Sequence, residues 1–327
     1  MLINIVYIIV GVALVLWGAD RLTEGASSLA RGMHVPEIVI GLTIVAAGTS
    51  APELFVSLVS ALKGTSDLAV GNVIGSNIFN TMLIVGCSAV VAPMAVAPST
   101  VKKDIPFAVM ASLLLFILCF DDMESPHLWG NEISRSDGII LLLGFLIFMI
   151  YTFRSAKKEG LMPTEEELDE NSELPNDYSH LWRNLCFIVL GLACLIVGSN
   201  LFVDAASYIA HRWGIRQSVI GLTVVAGGTS LPELATSVVA AYKGRSAIAI
   251  GNVLGSNVFN ILLILGTTAV IHPLRIMGIT IVDLMAMLVS IGLLWLFAFT
   301  KYSVSRKEGG VLILGFLVYM AWLLYLL

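Results

Sequence analysis

Ten runs of roughly 17 to 25 mostly apolar residues follow one another along this 327-residue chain, and they restrict its fold more than any other feature. A run of that length crosses a hydrocarbon core about 30 Å thick as a helix. The runs lie at 3–20, 38–62, 68–92, 105–120, 138–154, 184–204, 218–242, 247–271, 279–300 and 310–327. Composition excludes a water-soluble body: 18 basic and 23 acidic residues are 13% of the chain, 57% is hydrophobic and mean hydropathy is +0.92. A soluble domain carries about 25% charge. The expected class is therefore an all-α membrane protein of ten transmembrane helices. Nothing basic precedes the first run, so it is read as a retained span rather than a secretory signal. A net charge of −5 without a basic cluster argues against a nucleic-acid partner.

The chain repeats itself. Residues 41–80 (GLTIVAAGTSAPELFVSLVSALKGTSDLAVGNVIGSNIFN) align without a gap on residues 221–260 (GLTVVAGGTSLPELATSVVAAYKGRSAIAIGNVLGSNVFN), with 26 of 40 positions identical. The register extends outward, matching Gly11 with Gly191 and Gly18 with Gly198, then Gly86 with Gly266. Three parts result: a first five-helix repeat at 1–154, an acidic linker at 155–183 and a second repeat at 184–327. Five is odd, so the second copy must enter the membrane from the opposite side, giving two inverted-topology repeats. Charge supports this, since cytoplasmic loops collect Lys and Arg. Loops after odd-numbered spans hold 13 of the 18 basic residues, which places both termini outside the cell and the linker inside. The linker carries Glu159, Glu165, Glu166, Glu167, Asp169, Glu170, Glu173 and Asp177 against Lys157 and Lys158, and is read as a solvated charge run.

Within this apolar chain two acids stand well inside a run, Glu53 and Glu233, following Gly48-Thr49-Ser50-Ala51-Pro52 and Gly228-Thr229-Ser230-Leu231-Pro232. A charge at the centre of a spanning helix costs about 2.5 to 3.5 kcal/mol even on the milder scales, so something must offset the pair. Carboxylate, hydroxyl and carbonyl oxygens at these positions are what a hard cation takes. Thr49 and Ser50 lie about one turn from Glu53, near its face. Pro52 and Pro232 lack the N–H that Gly48 and Gly228 would receive, so each helix should kink and free carbonyls beside the acid. The next run of each copy adds Ser76 with Asn80 and Ser256 with Asn260, each pair four apart on one helix face. Gly71, Gly75, Gly251 and Gly255 are read as packing glycines. For Asn72, Asn77, Asn252 and Asn257, ligation and interhelical bonding are equally open.

Enzyme motifs are absent. The sequence has no HExxH and no Walker loop, and His34, His127, His180, His211 and His272 fall at span ends or in loops. Cys87, Cys119, Cys186 and Cys194 lie in apolar runs and are read as free thiols. No resident cofactor and no obligatory protein partner is evident. The expected partners are inorganic cations and the lipid bilayer.

At these residues the chain resembles the calcium/cation antiporter superfamily, close to the prokaryotic sodium/calcium exchangers. The resemblance rests on a Gly-Thr-Ser-x-Pro-Glu element (Gly48 to Glu53, Gly228 to Glu233) and a Gly-Ser-Asn-x-Phe-Asn element (Gly75 to Asn80, Gly255 to Asn260), and it covers all ten spans. It implies that Glu53 and Glu233 bridge central calcium and sodium sites. Thr49, Ser50, Ser76, Thr229, Ser230 and Ser256 would add hydroxyl or backbone oxygens, Ala46 and Ala226 carbonyls, and Asn80 and Asn260 would complete the centre. It further implies Ca²⁺/Na⁺ antiport by alternating access in a cell inner membrane, spans one and six sliding past an eight-helix core. One departure matters: some relatives carry Asp where this chain has Asn260. Two carboxylates balance one Ca²⁺, two Na⁺ or two protons, whereas a third Na⁺ would bind with net positive charge. Exchange against H⁺ or with K⁺ is the next candidate, and a passive cation channel is a further alternative.

Overall fold

Backbone placed in hydrocarbon has no water to bond, so every N–H and C=O must find a partner within its own segment. The apolar runs accordingly form helices. The computed structural model describes residues 2–32, 35–119, 131–158, 178–213, 226–276 and 279–326. In chain order the helices are α1 (Leu2–Gly32), α2 (Glu37–Thr49), α3 (Ala51–Leu62), α4 (Ser66–Val91), α5 (Ile105–Leu118), α6 (Arg135–Lys158), α7 (Tyr178–Arg212), α8 (Ala226–Thr229), α9 (Leu231–Tyr242), α10 (Ser246–Ile271), α11 (Ile281–Lys301) and α12 (Arg306–Leu326). Among the described residues seven are long and apolar enough to cross a membrane, and α2 with α3 makes an eighth span if the bent pair counts as one.

The structure departs from the apolar runs in three places. The expected first span ends at 20, yet α1 continues to Gly32. Its added turns are charged but partnered, for Arg21 bonds Glu24 at 2.9 Å and lies over the rings of Trp17 and Phe187. Similarly α7 starts at Tyr178, so helix reaches into the stretch read as linker from that side, and α6 does so from the other as far as Lys158. The expected fourth span is only 14 residues of α-helix, about 21 Å at 1.5 Å per residue. A π-helical turn over Thr100–Asp104 precedes it and brings Lys102, Lys103 and Asp104 to its start. Residues 159–177 of the linker and 218–225 of the expected seventh span lie outside the described residues.

The two sequence copies fold alike, element for element, at the offset of 180. Residues 51–62 and 231–242 are α3 and α9; 66–91 and 246–271 are α4 and α10, each interrupted by a π-turn that starts at the equivalent Phe79 or Phe259. Both α3 and α9 end on a glycine of positive φ, Gly64 at 78° and Gly244 at 74°, the left-handed stop that only glycine adopts freely.

Close approach is built on glycine too. Among the described residues α1 and α7 make the most extensive helix pairing: Gly11 faces Gly198, Gly18 faces Gly191 and Gly25 faces Asn184, so the two run antiparallel. A methyl at Gly18 would stand 2.7 Å from the Gly191 carbonyl oxygen. Small residues that let backbones meet are how helices hold together where lipid removes the hydrophobic drive. Two short antiparallel ladders link the connections: β1 (Met94–Ala95) pairs with β4 (Ser303–Val304), and β2 (Asn131–Ile133) with β3 (Leu274–Ile276).

The layering places the polar motifs at the centre. Within an 18-residue apolar stretch of each spanning helix, 94% of the residues are buried in α10 and 72% in α4, against 11% in α12, which exposes Val311, Leu314, Leu317 and Val318. In water that surface would aggregate; against lipid tails it is matched.

Candidate cation site

Proline produces the geometry from which the site is built. With no N–H at Pro52 the helix cannot close its bond to Gly48, and Ser50 leaves helical geometry at φ −83° and ψ 6°. The α2 and α3 pieces meet there at 46°. Ser230 repeats the break between α8 and α9, at φ −91° and ψ 7°. Each break leaves a serine hydroxyl, a threonine hydroxyl and a glutamate on consecutive turns at the middle of the protein.

The glutamates are held by hydroxyls of the opposite copy. Ser50 donates to Glu233 Oε1 at 3.0 Å, and Ser230 donates to Glu53 Oε1, also at 3.0 Å. Thr229 interacts with the Glu53 carboxyl and Thr49 with that of Glu233. Ser230 also lies 3.4 Å from Ser76 Oγ, and Ser256 is buried beside the Glu233 carboxyl and interacts with it. Both glutamates are only 1% exposed. A carboxylate so deep in protein is tolerable only with compensating partners. Each has one oxygen satisfied by a hydroxyl and the other, Oε2, with no partner.

Asparagines supply the next layer. Asn80 donates to Asn257 Oδ1 at 3.2 Å and Asn260 to Asn77 Oδ1 at 3.1 Å, crossing from one copy to the other. The remaining amide oxygens, Asn80 Oδ1 and Asn260 Oδ1, are buried and unpartnered. A different pair acts as a clamp within each copy. Asn72 donates to the Glu53 carbonyl at 3.3 Å and Ser57 at 3.0 Å, and Asn252 to the Glu233 carbonyl at 3.3 Å and Ser237 at 2.9 Å. These tie α3 to α4 and α9 to α10.

Thus Glu53, Glu233, Thr49, Ser50, Ser76, Thr229, Ser230 and Ser256 are brought together, and Asn80 and Asn260 lie in the asparagine layer on the neighbouring helices. The expected free carbonyls are less simple. Ala46 O accepts the Ser50 N–H at 2.9 Å, and the Gly228 carbonyl released by Pro232 accepts the hydroxyl of Ser199 from α7. Ala226 opens α8, the residues before it lying outside the described ones. Ser199 was not legible as part of the site, whereas Asn77 and Asn257, open between ligation and interhelical bonding, make bonds between helices. For the asparagines a signal existed, since both stand three residues before Asn80 and Asn260 in each copy. Of the packing glycines, Gly251 and Gly255 serve that role: a methyl at Gly255 would stand 2.6 Å from the Leu42 carbonyl oxygen.

Chemically the result is a buried polar centre in which Glu53 Oε2, Glu233 Oε2, Asn80 Oδ1 and Asn260 Oδ1 have no hydrogen-bond partner. A buried acceptor without a donor costs about 1–3 kcal/mol. Four such acceptors on adjoining helices are a poor protein core and suit a hard cation, which binds six to eight oxygens. Among the described residues no group of three or more His, Cys, Asp or Glu exists, so neutral oxygens must complete any coordination.

Comparison with known proteins agrees with this chemistry. A family model described as "Sodium/calcium exchanger protein" matches residues 3–154 and 183–325. The sodium/calcium exchanger MaX1 of Methanosarcina acetivorans is 32% identical over 353 residues, covering 99% of both chains. The inner membrane protein YrbG of Escherichia coli (strain K12) is 36% identical over 334 residues, covering 100% of this chain and 98% of the relative. Among solved structures, the sodium-calcium exchanger NCX_Mj soaked with 10 mM Na⁺ and zero Ca²⁺ superposes with a TM-score of 0.84 at 30% identity, over 98% of this chain and 99% of that one. With the model matching on both sides of the linker and relatives aligned end to end, the chain belongs to the sodium/calcium exchanger family.

Proposed function

We propose that the protein is a secondary active antiporter that exchanges Ca²⁺ for Na⁺ across the membrane by alternating access. The observation that carries this reading is the buried centre itself: two carboxylates from opposite copies, each with a free oxygen and each held by a hydroxyl of the other copy, beside two amide oxygens that lack a donor. Charge then couples the two ions. The pair neutralises one Ca²⁺ or two Na⁺, so occupancy by one excludes the other, and an ion entering from one side displaces what came from the opposite side.

The ligand set is Glu53 and Glu233 at the centre, with Thr49, Ser50, Ser76, Asn80, Thr229, Ser230, Ser256 and Asn260 around them and the backbone of Ala46 and Ala226 at the helix breaks. The wider layout is ten spans in two inverted repeats of five, 1–154 and 184–327, with the 155–183 linker cytoplasmic and both termini extracytoplasmic. Element limits that coincide at an offset of 180 over 51–91 and 231–271, and the antiparallel crossing of α1 with α7, support it. A helix pair equivalent in sequence and opposed in direction is what inversion requires. Location in a cell inner membrane is supported by the name of the Escherichia coli relative. The α1/α7 pair is then the unit that moves against the bundle holding the site, and no enzymatic step is involved.

The test is radiolabelled Ca²⁺ flux in proteoliposomes under separately imposed Na⁺, K⁺ and pH gradients. An outward Na⁺ gradient alone should drive Ca²⁺ uptake. Uptake driven by pH alone would replace Na⁺ with H⁺, and flux with no opposing ion would make the protein a channel.

A further inference from the structure

The asparagine network raises the question of what keeps two amides turned oxygen-first toward the cation. An asparagine side chain has an accepting end and a donating end of nearly the same shape, and a donating NH₂ facing a cation repels it. Both Asn80 and Asn260 lie fully inside the protein at 1% and 0% exposure, so water cannot decide the orientation.

A fixed acceptor decides it. The Asn257 backbone carbonyl can only accept, and Asn77 Nδ2 donates to it at 3.3 Å. The Asn77 side chain is thereby turned with Oδ1 away from that carbonyl, and Oδ1 accepts the Asn260 NH₂ at 3.1 Å. Asn260 Oδ1 is left as the end without a partner. The reverse orientation would set two oxygens face to face. On the other side of the pocket, Asn257 Nδ2 donates to Thr81 Oγ1 at 2.7 Å, and its Oδ1 accepts the Asn80 NH₂ at 3.2 Å. Asn80 Oδ1 is again the free end. The two chains are not copies, because Thr81 is matched by Ile261 at the offset of 180.

We infer that Asn77 and Asn257, the latter braced by Thr81, are positioning residues of the ion site: each engages the NH₂ of a ligand amide in the opposite copy and holds its carbonyl oxygen toward the cation. None of the three needs to touch the ion. The inference rests on the proposed function only in taking Ca²⁺ as a ligand, and it accounts for how a centre with Asn at both 80 and 260 presents oxygen alone.

A double-mutant cycle on equilibrium Ca²⁺ binding to the purified, detergent-solubilised full chain tests it. Loss of a partner that orients a metal ligand weakens affinity by about 10- to 100-fold. Asn77→Leu should do so, yet add little in an Asn260→Ala background where no amide remains to be oriented. Thr81→Val should weaken binding in the wild type but not in Asn80→Ala, with Thr81→Ser restoring it. This second cycle also decides the matter should Asn77→Leu fail to fold. Multiplying losses in both cycles, or unchanged affinity in Asn77→Leu and Thr81→Val, would overturn the inference. Binding without Na⁺-driven flux in the wild type would sink the exchange reading alone, whereas absence of Ca²⁺ binding would sink both.

Discussion

At the scale of single residues the site balances two costs. Two carboxyls at 1% exposure can both ionise only with a cation between them, since without one their charges would repel each other with no water to screen them. Glu53→Gln removes one of those charges and leaves a side chain of the same size. Sodium-driven Ca²⁺ uptake in everted vesicles should fall to background in Glu53→Gln and equally in Glu233→Gln, because one carboxylate cannot neutralise a divalent ion in a dry pocket; full activity in either would refute the assignment. The melting temperature of the ion-free protein should hold or rise in the same variants. The wild type, by contrast, should gain about 2.7 kcal/mol from Ca²⁺ at a hundred times its dissociation constant, a gain absent from the variants.

Helices and their contacts set a different limit. The α1/α7 crossing leaves no room for a side chain where Gly18 meets Gly191, whereas Gly292 in α11 has open space around it. Gly18→Leu should therefore separate the pair and lower the yield of monodisperse protein, and Gly18→Ala should lower the melting temperature by an amount corresponding to about 1–3 kcal/mol of overpacking. Gly292→Ala is the control, expected to be neutral or stabilising by up to about 1 kcal/mol through helix propensity. If Gly18→Ala melted like Gly292→Ala, the close crossing would be wrong.

The same elements indicate what the chain reveals before it folds. Helix positions were legible because hydrocarbon allows little else, and Glu53 and Glu233 because an acid inside an apolar run needs a reason. The break at each proline was legible from its missing N–H. Helix ends were not: α1 passes 20 to reach Gly32 because Arg21 finds Glu24 and two aromatic rings, contacts that hydropathy does not register. Nor could sequence tell which freed carbonyl stays free. Gly228 is taken by Ser199, and the position matching Ser199 in the first copy is Ala19, so the two halves differ where the motif is identical.

At the scale of the whole molecule, the proposed inversion would let one site face two sides. A site built from Ser50 with Glu233 and Ser230 with Glu53 belongs to neither copy alone, so whatever motion opens it to one face has a counterpart, related by the repeat, that opens it to the other. That argument requires sequence-equivalent loops to lie on opposite faces of the membrane. Lys63 and Lys243 mark such loops, both exposed and both directly before the glycine of positive φ that ends the helix. The bias of basic residues predicts Lys63 outside and Lys243 inside. In a background with Cys87, Cys119, Cys186 and Cys194 replaced, a membrane-impermeant maleimide applied to intact cells should label Lys63→Cys and spare Lys243→Cys, with the pattern reversed in everted vesicles. Labelling of both from one side would exclude inversion, and with it the symmetric exchange of access between the two faces.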